Sequence, residues 1–314
     1  MLMLVNGCSH TEGAEIIKPG PEGCPITSKK RAWGAHLSKK LGFDYLNIAL
    51  SGASNYKIKT NTQDWIIENV LMKKKIKIKD LFVCIMWSSM DRFELYNEKE
   101  NISESASTFW LTIMNDKSHP ENALWWKDYS AEYKLNLKKY LEGLLMLEDH
   151  LTYQYNFLSI VYDMMLFLER YNIKYFFING IHTFIPPLAL DMEHPNYTSI
   201  MNLYFNMENK IDRHYAFYDK DCYNELLKFH DKNKKEKDKD IKKFINKFGR
   251  GYKNNLDILY SNVEHQYSYL TYFQDILKLP RPKWSQTHHW GEDAHIIWAD
   301  KLYKFIEQKR DLIL

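Results

Sequence analysis

The chain opens on an apolar segment, Met1-Leu2-Met3-Leu4-Val5, that runs directly into Asn6-Gly7-Cys8-Ser9-His10-Thr11-Glu12-Gly13. An apolar run without polar alternation reads as a strand covered on both faces, as in a parallel sheet flanked by helices. The residues after it form a tight, glycine-flanked turn, where the backbone can bend sharply and approach a neighbour closely. A serine presented there stands at the carboxyl end of a strand, where parallel sheets bind their ligands. Backbone N–H groups past such a strand can hold an oxyanion. The placement suits a nucleophile.

The remaining pattern supports an α/β chain. Residues 31–41 predict a helix with Trp33, Leu37 and Leu41 on one face, stopped by Gly42. Residues 45–50 predict a second strand, followed by the turn Ser51-Gly52-Ala53-Ser54-Asn55 and a helix over about 56–72. Leu81–Trp87 is a third, strongly apolar strand, residues 151–171 an amphipathic helix, and residues 174–179 a fourth strand. A fifth strand is expected near 214–218 and a last helix carries Trp298, Leu302, Phe305 and Ile306 inward. Alternation of this kind gives a mostly parallel sheet with helices on both faces. Residues 1–97, 151–185 and 281–314 form the expected core. Residues 98–150, rich in Trp and Tyr, and 186–280 read as largely helical insertions. The second contains residues 231–243, with eleven charged side chains of both signs, a solvated face.

Charge and cysteine content exclude several functions. With 43 Lys and Arg against 40 Asp and Glu, the net charge of +3 does not point to nucleic acid. Cys8, Cys24, Cys84 and Cys222 contain no Cys-x-x-Cys pair, so neither a zinc ribbon nor a thioredoxin-like site is expected, and buried free thiols are the simplest reading. No signal peptide and no membrane span is evident, since the apolar stretch around 157–168 is short and broken by Asp163. A cytoplasmic protein is expected. His288 and His289 are the one close histidine pair, but adjacent residues rarely chelate one metal, and no metal or other cofactor is expected. Trp110, Trp125 and Trp126 suit packing of the insertion better than a sugar platform.

Gly7-Cys8-Ser9-His10-Thr11-Glu12-Gly13 resembles the first block of the SGNH, or GDSL-like, hydrolases, Gly-Asp-Ser-x-Ser/Thr-x-Gly, departing only at Cys8. Asn47-Ile48-Ala49-Leu50-Ser51-Gly52-Ala53-Ser54-Asn55 is similar to the second block, with Gly52 as its glycine. In the third block, Gly-x-Asn-Asp, Ser88 stands where the family has its Asn donor; Asn55 is a substitute donor by position. Thr287-His288-His289-Trp290-Gly291 resembles the last block, and the offset of His289 to His295 favours His289 over His288 as the base. Three positions before His289 and His288 stand Gln286 and Ser285, so the family's acid is absent there; Asp91, Glu94 and Asp293 are the carboxylates available to replace it. The combination looks closest to members encoded by tailed bacteriophages, for which the host cytoplasm or the virion would be the location.

The resemblance implies a three-layer α/β/α flavodoxin-like parallel sheet and a serine-dependent ester hydrolase acting on an acyl or carbohydrate ester. Ser9 would be the nucleophile and His289 the general base. Ser9, Gly52 and Ser88 would form the oxyanion hole, with Asn55 and His10 at the substrate. The partner is then a small-molecule or carbohydrate ester, with no nucleic acid and no membrane. The altered acid and Asn positions leave a second reading open, a catalytically inactive binding or structural protein on the same fold. His295, His182 and His194 are expected to be structural, Arg92 and Glu94 to rim the pocket or pair at the surface.

Overall fold

In a computed structural model of the chain, the opening apolar segment forms strand β1 (Leu2–Gly7), buried from Met3 onward. The structure describes residues 1–18, 26–90, 92–97, 102–107, 130–147, 150–180, 277–283, 285 and 289–314, together with 198–199, 202–203, 214–215, 269 and 272–273. After β1 come a four-residue helical turn α1 (Ser9–Glu12), α2 (Trp33–Leu41), β2 (Asp44–Asn47), α3 (Asn55–Ile66) and β3 (Leu81–Trp87). Then follow β4 (Arg92–Asn97), β5 (Ile102–Ser107), α4 (Ala131–Leu147), α5 (His150–Arg170), β6 (Lys174–Asn179) and the two-residue β7 (His214–Tyr215). The last elements are α6 (Glu292–Gln308) and α7 (Arg310–Ile313).

The main sheet runs β2-β1-β3-β6-β7, every neighbouring pair parallel. With the β4–β5 hairpin set aside, this is the 2-1-3-4-5 order of flavodoxin-like doubly wound sheets. Four strands are full length and β7 adds a short edge. The predicted three-layer α/β/α parallel architecture is therefore observed.

Side-chain alternation along each strand explains the layers. Leu4, Val83, Ile85, Trp87, Tyr175 and Phe177 face one way, onto Ile58 and Ile66 of α3 and Phe157, Val161 and Leu168 of α5. Met3, Val5, Phe82, Cys84, Met86, Phe176 and Ile178 face the other, onto Trp33, Leu37 and Leu41 of α2 and Trp298, Leu302 and Ile306 of α6. β3 is buried at all seven positions, as its uninterrupted apolar sequence requires of a central strand. Cys8 and Cys84 are buried free thiols. No helix among the described residues is long and apolar enough to cross a membrane.

Several elements differ from their sequence reading for local reasons. β2 ends at Asn47 instead of running to residue 50, because the Asn47 side chain accepts from the Ala49 amide at 2.9 Å and donates to the Thr11 carbonyl at 2.8 Å, turning the chain toward α1. The helix expected to residue 72 begins at Asn55, where the Ser54 hydroxyl caps the Lys57 amide, and continues past Ile66 as a π-turn, Ile67–Met72. β4 and β5 form a separate antiparallel hairpin with Arg92 opposite Ser107, and β5 falls in the segment 98–150, which was expected to be largely helical. The segment 231–243, Trp110, Trp125, Trp126, His182, His194, Cys24 and Cys222 lie outside the described residues.

Candidate active site

Parallel pairing brings the carboxyl ends of β1, β2 and β3 to one edge, with Gly7 beside Met86. Asn6, buried at the end of β1, fixes this edge to α3: its Nδ2 donates to the Ile58 carbonyl at 2.9 Å and to Thr62 Oγ1 at 2.8 Å, while its Oδ1 accepts from the Gly7 amide at 2.8 Å. Glycine is required at position 7 by space. A Cβ there would stand 2.2 Å from Thr11 Oγ1 and 2.7 Å from the Met86 carbonyl oxygen. Ser9 is the first residue of α1, 8% exposed, and its carbonyl accepts from the amides of Gly13 and Ala14, both at 3.0 Å. Ser9 thus sits in a tight turn held from both sides.

His289, from the coil just before α6, reaches this turn. Its ring centroid is 4.7 Å from that of His10, the residue next to Ser9. Its Nδ1 is 3.5 Å from Oε2 of Glu15. The Ser285 hydroxyl donates to the same carboxylate oxygen at 2.8 Å and accepts from the His289 amide at 3.2 Å. Glu15 is thus the carboxylate placed at His289, a residue the sequence reading did not consider. It follows α1 with φ of 53°, a conformation that side-chain-bearing residues adopt at some cost. Ser285, four residues before His289, supplies a hydroxyl that ties Glu15 to the His289 backbone. Of the three carboxylates proposed from sequence, Glu94 instead accepts from Ser54 Oγ at 2.5 Å and lies 3.9 Å from Lys57 Nζ. Asp293 is in the first turn of α6, where it complements the helix dipole. Asp91, Gln286 and His288 lie outside the described residues.

The other histidines divide by environment. The His10 pKa is held well below its ordinary value, first by burial and then by electrostatic interaction with His289, His295, Arg92 and Arg281. His10 is therefore neutral, and its buried Nδ1 has no hydrogen-bond partner among the described residues. Its ring packs against Tyr269 as well, at 5.1 Å. His295 is depressed to about 3, chiefly by burial and then by His289 and His36. Its Nδ1 accepts from the Trp33 amide at 3.1 Å, so its Nε2 carries the proton and faces the Tyr269 hydroxyl at 3.3 Å. His295 thereby caps α2, whose own N-cap residue Ala32 has no side chain to do so. This is the structural role expected of it.

The Leu50–Ser54 turn, after β2, also meets α1. The Glu12 carboxylate accepts from the Ser51 amide at 2.8 Å and the Ser51 hydroxyl at 2.5 Å, fastening this turn to α1. Gly52 follows with φ of 78°, where a side chain would be strained. Ser88, just past β3, is 1% exposed, and its hydroxyl has no partner among the described residues. Its amide donates to Asn55 Oδ1 at 2.7 Å, and Asn55 Nδ2 donates back to the carbonyls of Ser89 at 2.9 Å and Ser88 at 3.3 Å. Asn55 is the residue considered from sequence as a substitute oxyanion donor. Its amide protons are engaged in shaping the loop after β3, although the residue also lines a neighbouring cavity. Among the described residues no group of three or more His, Cys, Asp or Glu side chains is placed to hold a metal ion.

No curated protein matches the chain. Among solved structures, the acetyl xylan esterase Est2A from the rumen bacterium Butyrivibrio proteoclasticus aligns over 99% of this chain and 64% of its own, with a TM-score of 0.41 and 10% sequence identity. The chain thus spans a little under two thirds of that esterase. A family model matches residues 22–183, which is more than half of the 314 residues and includes Gly52, Asn55 and Ser88 while leaving Ser9 and His289 outside. The chain belongs to DUF6071, a family of unknown function.

Proposed function

We propose that this protein is a serine-dependent ester hydrolase acting on a small-molecule or carbohydrate ester. The reading rests on one observation above all: an imidazole from the far end of the chain stands against the residue next to Ser9, with a carboxylate 3.5 Å from its Nδ1. In this reading His289 takes the Ser9 proton as Oγ attacks the acyl carbon. A C–O bond forms and the carbonyl electrons move to the oxygen. The protonated His289 gives that proton to the departing alcohol oxygen as the ester C–O bond breaks. Water, deprotonated by the same imidazole, then releases the acid and restores Ser9. The N–H groups of Ser9 and Gly52 and the Ser88 hydroxyl would receive the oxyanion.

Glu15 would replace the acid that the sequence lacks before His289. A carboxylate at Nδ1 fixes the tautomer that leaves Nε2 as base and stabilises the imidazolium that forms. The 3.5 Å separation is longer than a good hydrogen bond, and such contacts tighten when substrate binds. No cofactor enters this chemistry.

Hydrolysis of p-nitrophenyl acetate by the purified full chain, beside Ser9→Ala, tests the proposal. Turnover by the parent chain that disappears in Ser9→Ala is expected. Equal rates in both proteins would sink it and leave the alternative of a binding or structural protein.

A further inference from the structure

A second concavity, of about 310 Å³, lies between α3, β4, α4 and α5, with Asn55, Arg92, Phe93, Tyr140 and Phe157 among its lining residues. Its wall is aromatic: the Phe93 and Tyr140 rings meet edge to face at 6.0 Å, and Phe157 is 1% exposed. Its polar corner is charged but not balanced. Glu94 already accepts from the Ser54 hydroxyl and pairs with Lys57. The partly buried Arg92 guanidinium makes one hydrogen bond among the described residues, from Nη1 to the Ala53 carbonyl at 3.3 Å, and has no carboxylate partner there. A guanidinium drawn partly out of water is best satisfied by a planar, bidentate oxyanion. An aromatic wall suits a flat ring.

We propose that this concavity binds a small aromatic carboxylate, its ring against Phe93 and Tyr140 and its carboxylate on the Arg92 guanidinium. The site adjoins the Ser9 edge, because Asn55 both lines it and holds the Ser88 amide at 2.7 Å. That the occupant is part of the ester substrate rests on the hydrolase reading; that it binds here does not.

Calorimetric titration of the full chain with benzoate, and in parallel with the neutral isostere benzamide, tests the site directly. Benzoate should bind with a Kd on the order of 1 mM, and benzamide roughly tenfold more weakly. Arg92→Gln should abolish the preference for benzoate, while Tyr140→Ala, at a half-exposed position, should weaken both ligands. Ser9→Ala should bind benzoate as the parent does. Equal affinity for the two probes, no binding of either, or a preference that survives Arg92→Gln in a protein with unchanged Tm would overturn the assignment. Benzoate binding in a chain without esterase activity would discard the hydrolase reading and keep this site; esterase activity without benzoate binding would do the reverse.

Discussion

Ser285 and Glu15 meet through a 2.8 Å hydrogen bond although they come from opposite ends of the chain. The bond matters because the same hydroxyl accepts from the amide of His289 at 3.2 Å, so one serine couples the carboxylate to the segment that carries the imidazole. Each half of this arrangement can be removed separately.

Replacing Glu15 by Gln keeps the shape and removes the charge. If Glu15 orients His289, kcat on p-nitrophenyl acetate should fall by about two to four orders of magnitude, with KM and Tm little changed. Ser285→Ala leaves the carboxylate in place and should cost only about tenfold. A Glu15→Gln protein with parental kcat would remove Glu15 from the mechanism. The pH–rate profiles of the two variants distinguish loss of the charge from loss of the geometry.

The Ser88 hydroxyl is buried with no partner among the described residues, so deleting it breaks no hydrogen bond to any of them. Ser88→Ala should leave stability within about 1 kcal/mol of the parent. If the hydroxyl receives the oxyanion, kcat should nevertheless fall by about a hundredfold. Chemical denaturation and steady-state kinetics on the same sample separate the two effects.

Stability should decline in acid. His10 and His295 both have folded-state pKa values below the unfolded value, His295 at about 3. The unfolded chain therefore binds more protons than the folded one below about pH 6.5. The stabilisation that depends on their neutrality is fully present above that pH and is lost progressively as pH falls toward the folded values. By pH 5 the loss from His295 alone is about 2 kcal/mol. Tm measured between pH 7.5 and 5 should drop, and His295→Gln, which cannot titrate, should show a shallower drop from a lower starting point.

Gly7→Ala is expected to destabilise by about 2–4 kcal/mol. The new methyl would meet the Met86 carbonyl oxygen at 2.7 Å, and backbone in a central strand cannot swing aside. Denaturant midpoints of the two proteins check this, and the alanine variant should also lose Ser9 reactivity because α1 begins two residues later.

The parts of this fold that were readable in the sequence are those whose physics is local. Leu81–Trp87 has no polar residue to offer solvent, which marks a strand covered on both faces, and Trp33, Leu37 and Leu41 recur at helical spacing. The Ser9 turn and the Gly52 turn were legible because tight backbone geometry leaves small residues behind. The β4–β5 hairpin was not: Ile-Ser-Glu-Ser-Ala-Ser carries no alternating apolar face and no glycine turn signal. Glu15 was missed for another reason. Its partnership with His289 is made by tertiary approach, and nothing in Gly13-Ala14-Glu15 distinguishes that carboxylate from a surface one. The bonds of Asn55 were not legible either, because an amide at the start of a helix looks like an available donor until the carbonyls of Ser88 and Ser89 are seen to accept from it.

His295 caps the first turn of α2 from within α6, so a helix near the beginning of the chain is completed by one near the end. During synthesis, Trp33 leaves the ribosome long before the side chain that will satisfy its amide. Until α6 has been made and laid down, the Trp33 amide has only water to bond to, and the ring of His10 is without that of His289. A chain in which α6 has not yet docked therefore leaves the Trp33 amide without its imidazole acceptor and the Ser9 turn without its neighbour His289.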